Sequence, residues 1–577
     1  MTKIQTTIIC CLIMLLTLQT KVKGQYVLIE ADQQYALYNY SKAIDLYERA
    51  YQKKATLHAA ERLAECYKNQ HNYKQAENWY AIASAMPGSR IANTLYYAQA
   101  LQSNSKYAEA KAQYNKYSLE NKAVTEHQKS IWLQSCDSAM HWMKAPTDIT
   151  IKNEQSLNSA QSDWGATKNK NNVVFASDRG ISGKDNQATN RPFLKFDGAK
   201  TPNKNIYGWT GNAYLRLYTQ TGNDSVKLVP VNAGTAYHIG PASFTADGRT
   251  MYFTLTKINK DAAYETVKGI KDKLATVNVE IYSSTSTEAG DWSAPAPFKY
   301  NNAKEYSLGD PFITADGQRL YFASNMPGGK GGMDLYVCEK TNAGDWGVPV
   351  NLKEINTEGN ERSPAIDEEN NFYFSSDGRV GMGGLDIYST TIINGKIGEP
   401  RNLGYPTNSP QDDFSFNKIT KYTGYLSSNR TGGLGDDDIY SFTLPMPKKI
   451  SYVDPVVLNK EIRLENIYYD FDKWNIRPDA AVELDKLVQI LKENPTIWIV
   501  LGSHTDSRGN DAYNLRLSQN RANSAVEYIL NRGIDRKRIT AKGYGETRLL
   551  NRCSNGVKCS EEEHQLNRRT EFTIVKQ

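Results

Sequence analysis

The pattern that most limits what this chain can fold into is a repeat in its middle. Tyr321-Phe322-Ala323-Ser324, Tyr373-Phe374-Ser375-Ser376 and Tyr425-Leu426-Ser427-Ser428 stand 52 residues apart, and Asp334-Leu335-Tyr336, Asp386-Ile387-Tyr388 and Asp438-Ile439-Tyr440 keep the same steps. Val174-Phe175-Ala176-Ser177 and Tyr252-Phe253-Thr254 are earlier copies at wider spacing. A unit of this length, built of short apolar runs and glycine turns, cannot bury its apolar faces alone and must stack on its neighbours. Five copies predict an all-β, five-bladed propeller over residues 148–445. The last copy stops at Ser441-Phe442-Thr443-Leu444-Pro445, one strand short. Asp148-Ile149-Thr150-Ile151-Lys152-Asn153 reads as the missing strand, predicted to pair with the last blade and remove its free edge. The glycine tracts 328–332, 381–384 and 432–435 lack a Gly-Lys-Ser/Thr ending and a following helix, so they read as tight turns and not phosphate loops. The acidic run Asp436-Asp437-Asp438 is too little to define a cation site.

A second period lies upstream. Asn39-Tyr40-Ser41-Lys42-Ala43, Asn72-Tyr73-Lys74-Gln75-Ala76 and Lys106-Tyr107-Ala108-Glu109-Ala110 place their alanines 33 and then 34 residues apart. A small Ala lets two helices approach, and the Tyr fills the gap beside it. Residues 25–145 are predicted to be a helical repeat domain closed by a capping helix over 124–143. The period resembles tetratricopeptide repeats, and the middle repeats resemble WD40-like (PD40) repeats. The helical array offers either a groove for a peptide or partner protein, or a spacer or brace against the next domain.

Beyond a proline-bearing linker at 446–460, the pattern changes to alternating strands and helices, an α/β arrangement over 461–577. Ile497-Trp498-Ile499-Val500-Leu501 reads as a buried strand, followed by a loop with Thr505, Asp506 and Gly509 and then a helix carrying Asn514, Leu517 and Arg521. A carboxylate and a guanidinium brought together beside a helix N-terminus can receive a zwitterion: Asp506 takes an ammonium, and Arg521 takes a carboxylate by paired N–H bonds. Residue types alone allow equally an Asp–Arg pair that only stiffens the loop.

The wording of this stretch is specific. His504-Thr505-Asp506-x-x-Gly509, Tyr513-Asn514-x-x-Leu517-Ser518-x-x-Arg521-Ala522, the upstream Tyr469-Asp470-Phe471-Asp472, Lys542-Gly543-Tyr544-Gly545-Glu546 and Asn567-Arg568-Arg569-Thr570-Glu571-Phe572 together resemble the OmpA-like peptidoglycan-binding domain. The resemblance implies that Asp506 and Arg521 hold the ammonium and carboxylate of the stem peptide's diamino acid. Asp472, Thr505, Asn514, Leu517 and Arg569 are implied as further site residues.

Compartment follows from the other end. Lys3, the apolar run Ile8–Leu18 and Val22-Lys23-Gly24 read as a secretory signal over 1–24. Cys10 and Cys11 lie at the front of that run, not behind it, which argues against lipidation. Removing the leader takes the formal charge from +6 to about +3, so nothing electrostatic points to nucleic acid. In an oxidising compartment Cys553 and Cys559 are predicted to pair, with Cys66, Cys136 and Cys338 as buried thiols. Seven histidines fall in no metal-ligand spacing, and no nucleophile–base set is visible, so no metal, cofactor or catalytic residue is expected.

The expected protein is therefore a non-catalytic periplasmic anchor on the cell wall and outer membrane. The alternative is a wall-attached propeller enzyme or ligand sensor. The whole architecture resembles periplasmic OmpA-family proteins of Bacteroidota. Some of these accompany the type IX secretion and gliding machinery, as PorE-like components or partners of PorP/SprF-type outer-membrane proteins. That resemblance implies an outer-membrane protein complex as partner.

Overall fold

The computed structural model describes residues 26–180, 206–234, 237–258, 265–266, 273–274, 276–286, 291–393, 395–445, 461–463, 467 and 473–576. The expected leader 1–24, the linker 446–460 and Asp472 lie outside them. The chain forms two compact units, Met1–Pro445 and Met446–Gln577.

The first unit begins with antiparallel helices: α1 (26–36), α2 (Tyr40–Lys53), α3 (Leu57–Asn69), α4 (Tyr73–Ala85), α5 (Ile91–Ser103), α6 (Tyr107–Glu120) and α7 (Glu126–Lys144). Ala43, Ala76 and Ala110 have no exposed surface, and close approach at these small residues sets the packing of successive helices. The chain enters α2, α4 and α6 through a left-handed residue each time: Tyr38, His71 and Ser105, with φ of 57°, 57° and 63°. These positions repeat with the same 33- and 34-residue steps as the alanines.

Among the described residues, five antiparallel sheets of four or five strands follow, with a separate two-stranded ribbon of Glu265–Thr266 and Lys273–Leu274. Their first strands in the chain are Asp163–Asn169, Ile239–Phe244, Leu308–Ile313, Glu361–Ile366 and Asp413–Lys418. Each of these strands contacts the next, and the fifth contacts the first. Each also carries a bulge around one left-handed residue: Gly165, Gly240, Asp310, Ser363 and Ser415. Thr150–Asn153 pairs antiparallel with Asp438–Thr443 and supplies the fourth strand of the fifth sheet, in the place expected for it. The repeated Asp of the Asp-x-Tyr motif explains the glycine tracts. Asp334 accepts from the backbone N–H groups of Lys330 and Gly331, and Asp386 from those of Met382 and Gly383. Asp438 accepts from Leu434 and Gly435 in the same way. All three carboxylates are buried, and each satisfies turn donors that would otherwise be orphaned.

Helices and sheets interlock. The His71 Nδ1 lies 2.6 Å from the Asp412 carboxylate, which also accepts from the Tyr73 hydroxyl at 2.6 Å. Trp209 Nε1 donates to the Asn69 carbonyl, Gln70 donates back to the Trp209 carbonyl, and Gly381 N donates to Ser135 Oγ. Met382 is buried in one cluster with Tyr107, Cys136 and Ala139. Of the two readings of the helical array, the brace is thus realised in these contacts. Cys66, Cys136 and Cys338 are free thiols, each buried.

The second unit is an α/β sandwich. Its sheet runs Glu461–Arg463, Thr570–Lys576, Trp498–His504, Ile539–Gly545, with the last two strands parallel. Helices α8 (Pro478–Glu493) and α9 (Asp511–Leu530) bury Leu484, Leu487, Leu491, Ala525, Val526 and Ile529 against Ile499, Leu501, Phe572 and Ile574. Strand 539–545 lies unusually close to α9: a Cβ on Gly543 would meet the Gln519 backbone nitrogen at 2.3 Å. A short helix, α10 (Glu561–Asn567), was not anticipated and opens with a Ser560–Glu563 capping box.

Candidate binding site on the second unit

Strand 498–504 ends beneath a loop that returns to α9, and this loop carries the candidate acid. Asp506 is 6% exposed. Its carboxylate accepts from the Arg508 backbone N–H at 3.0 Å, from Arg508 Nη2 at 2.8 Å and from Arg568 Nη1. Glu561 in α10 accepts from both arginines in turn, at 2.8 Å from Arg508 Nη1. Two carboxylates and two guanidiniums thus form a compact, charge-balanced quartet. Burial pushes the Asp506 carboxyl up, but hydrogen bonds and charge from Arg508 and Arg568 outweigh it and hold its pKa below the ordinary value.

The remaining residues divide into those that shape this loop and those that lie elsewhere. Asn514, 2% exposed, donates to the backbone carbonyls of Asp506 and Arg508, each at 3.2 Å, and to Glu546. It ties the loop to the first turn of α9. Gly509 has φ of 115°, and this left-handed backbone is what glycine permits. Thr505 is buried, with its backbone N–H on the Gly545 carbonyl at 3.0 Å. Leu517 is buried on α9. The first N–H groups of α9, at Ala512 and Tyr513, donate to the Asn510 side chain, so capping engages them within the helix.

Arg521 is not joined to Asp506. It is 2% exposed, and its Nε donates to the Lys473 carbonyl at 3.0 Å. Arg569 lies with Glu571 at 3.1 Å, and Glu571 in turn lies 2.8 Å from His504 Nε2. Of these two adjacent arginines it is Arg568, one residue earlier, that joins Arg508 on Asp506. Sequence reading missed Arg508, Arg568 and Glu561. Arg568 is the C-cap residue of α10, just ahead of the strand that begins at Thr570, and no sequence period marks that position.

Cys553 and Cys559 are joined by a disulfide, with Cα atoms 5.9 Å apart. Together with Glu563 they make the one metal-spaced cluster among the described residues, but sulfurs already bonded to each other are not thiolate ligands.

The second unit is thus an α/β sandwich with a buried, ionised acid on the loop above its central strand. Residues 468–562 match the OmpA family. Outer membrane protein A of Bordetella avium is 32% identical over 145 residues, 25% of this chain and 70% of that protein, and the chain belongs to the OmpA family. Outer membrane porin F of Pseudomonas fluorescens is 33% identical over 117 residues, 20% of this chain and 34% of the porin. The peptidoglycan-associated lipoprotein of Rhizobium meliloti (strain 1021) is 33% identical over 95 residues, 16% of this chain. The chain spans about a third of the porin's length and about half of the lipoprotein's. Among the described residues no helix is long and apolar enough to cross a membrane.

Proposed function

We propose that this protein is a non-catalytic periplasmic anchor whose C-terminal unit binds peptidoglycan. The observation that carries the reading is Asp506: a buried carboxylate held ionised on a loop that Asn514 fixes in place. Among the described residues its Oδ1 accepts only the Arg508 backbone N–H, which leaves that oxygen capacity for an ammonium. Arg521, oriented through Lys473, takes the carboxylate of the same diamino acid. The name of the peptidoglycan-associated relative agrees with this ligand. Thr505 lies in the loop itself, Leu517 and Arg569 are read as further residues of the site, and Asp472 belongs to the upstream part of the same motif.

The five sheets of the first unit are read as blades of a propeller over 148–445, and the helices over 25–145 as tetratricopeptide-like repeats. The closed order of contacts and the five equivalent bulges support this reading. This unit would carry the partner, an outer-membrane complex of the type IX secretion or gliding kind, which rests on the architectural resemblance. Retention on purified peptidoglycan tests the anchor. Wild type should pellet with it, and Asp506→Ala and Arg521→Ala, checked for folding by circular dichroism, should remain in the supernatant. Two folded variants that still pellet would overturn the assignment.

A further inference from the structure

A trough of about 540 Å³ opens on the second unit between the 474–476 segment and α9. Trp474 and Asn475 form one wall, and Asn520, Asn523, Ser524 and Asn531 the other. The α9 residues fall three, four and eleven positions apart and so share one helix face. Solvated helix faces are ordinarily filled with Lys, Glu, Gln and Arg. Asn and Ser weaken a helix because their side chains compete for its backbone. Three asparagines and a serine on one stripe break that local rule where core packing does not require them, as expected of a face kept for a ligand.

The chemistry of the walls selects the ligand. Trp474 is 46% exposed and offers a broad apolar face. The amides offer donors and acceptors side by side. Glu527, the one charged residue lining the trough among the described residues, is paired with Arg536 at 2.7 Å. The trough therefore suits an uncharged molecule with one apolar face and a rim of hydroxyl and acetamido groups. A charged peptide fits it poorly.

We infer that this trough is a glycan subsite for the N-acetylated sugar backbone of peptidoglycan. The inference rests on the anchor reading and extends it from the peptide to the sugar. Both walls are chain neighbours of the Arg521 contact: Asn520 precedes Arg521 in α9, and Lys473, whose carbonyl receives Arg521 Nε, precedes Trp474. A stem peptide held at Arg521 brings its attached sugar to the trough.

Calorimetry on the full chain separates the two readings, using a disaccharide muropeptide and the same stem peptide without sugar. Wild type should bind the muropeptide about tenfold more tightly than the bare peptide. Trp474→Ala should abolish that preference while leaving affinity for the bare peptide unchanged. Asn523→Lys, at an exposed position, should do the same and covers the case in which the tryptophan variant misfolds. Equal wild-type affinity for the two probes, or a preference that survives both substitutions, overturns the glycan subsite and leaves the anchor standing. Failure of wild type to bind either probe overturns both.

Discussion

Raising the pH from 7 to 10 should loosen the joint between helices and sheets in the first unit, and His71→Ala should remove much of that dependence. The groups facing His71 are Asp412, Tyr73, Asp437 and Arg362. Burial lowers the imidazole pKa, but the charge and hydrogen bond of Asp412 more than reverse this and bring it to about 9. Burial raises the Asp412 carboxyl, yet His71 and the Tyr73 hydroxyl bring it down to about 2. A group whose pKa rises on folding stabilises fully below its unfolded value and loses that contribution as pH climbs through the folded one. The window here runs from 6.5 to about 9. At face value the shift is worth about 3 kcal/mol. The imidazole, however, keeps 58% of its side-chain surface open to water, and screening cuts the expectation to about 1–2 kcal/mol. Urea unfolding followed by tryptophan fluorescence would read it, because Trp209 lies in this joint through its bond to Asn69. The difference between wild type and His71→Ala should shrink by about 1–2 kcal/mol between pH 7 and pH 10. Asp437, pushed up to about 6 by its burial, is already ionised over that range. Parallel pH curves for the two proteins would refute the reasoning.

Deleting residues 148–153 should lower the melting temperature of the first unit, because Thr150–Asn153 covers the outer edge of the fifth sheet; an unchanged melt would reject closure by this strand. Arg568→Ala removes one of the two guanidiniums that hold the Asp506 carboxyl down, so peptidoglycan retention should persist at pH 7 but be lost at a higher pH than in wild type during acidification. An unshifted acid midpoint would show that Arg508 alone sets the ionisation of Asp506.

The parts of this fold that were legible in the sequence are those written in spacing. The 52-residue steps located the strands, and the apolar run Ile497–Leu501 with the helical spacing beyond it located the central strand and α9. The short strand Thr150–Asn153 was legible for a different reason, since the last repeat lacked one strand and an unpaired edge demands a partner. The candidate site was legible only in residue type. Asp506 and Arg521 were singled out, but two of their partners, Arg568 and the Lys473 carbonyl, come from segments 62 and 48 residues away in the chain. Nothing periodic encodes such pairings. The choice between Arg568 and Arg569 depends on how the chain leaves α10, since Arg568 is that helix's C-cap and both residues precede the strand Thr570–Lys576. Helix α10 escaped because seven residues are too few to show a period, although Ser560-x-x-Glu563 is a capping signature.

The repeat positions themselves explain how one array of helices can serve as a brace. The packing of the hairpins is carried by Ala43, Ala76 and Ala110, so the left-handed turn residue before each second helix is not needed for that packing. Two of the three have been put to use within the unit. Tyr38 stacks on Trp209 with ring centres 6.1 Å apart and planes 4° apart, and His71 takes Asp412. Ser105, the third, carries a side chain too short for either contact. The repeats therefore differ where their own stability does not constrain them, and the differences follow the surface they meet. It follows that a partner of this unit should engage faces of the array other than the turns at Tyr38 and His71. A partner that displaced the His71 turn would have to break the buried Asp412 bonds, which costs more than an exposed contact returns, and one that displaced the Tyr38 turn would lose its stack on Trp209.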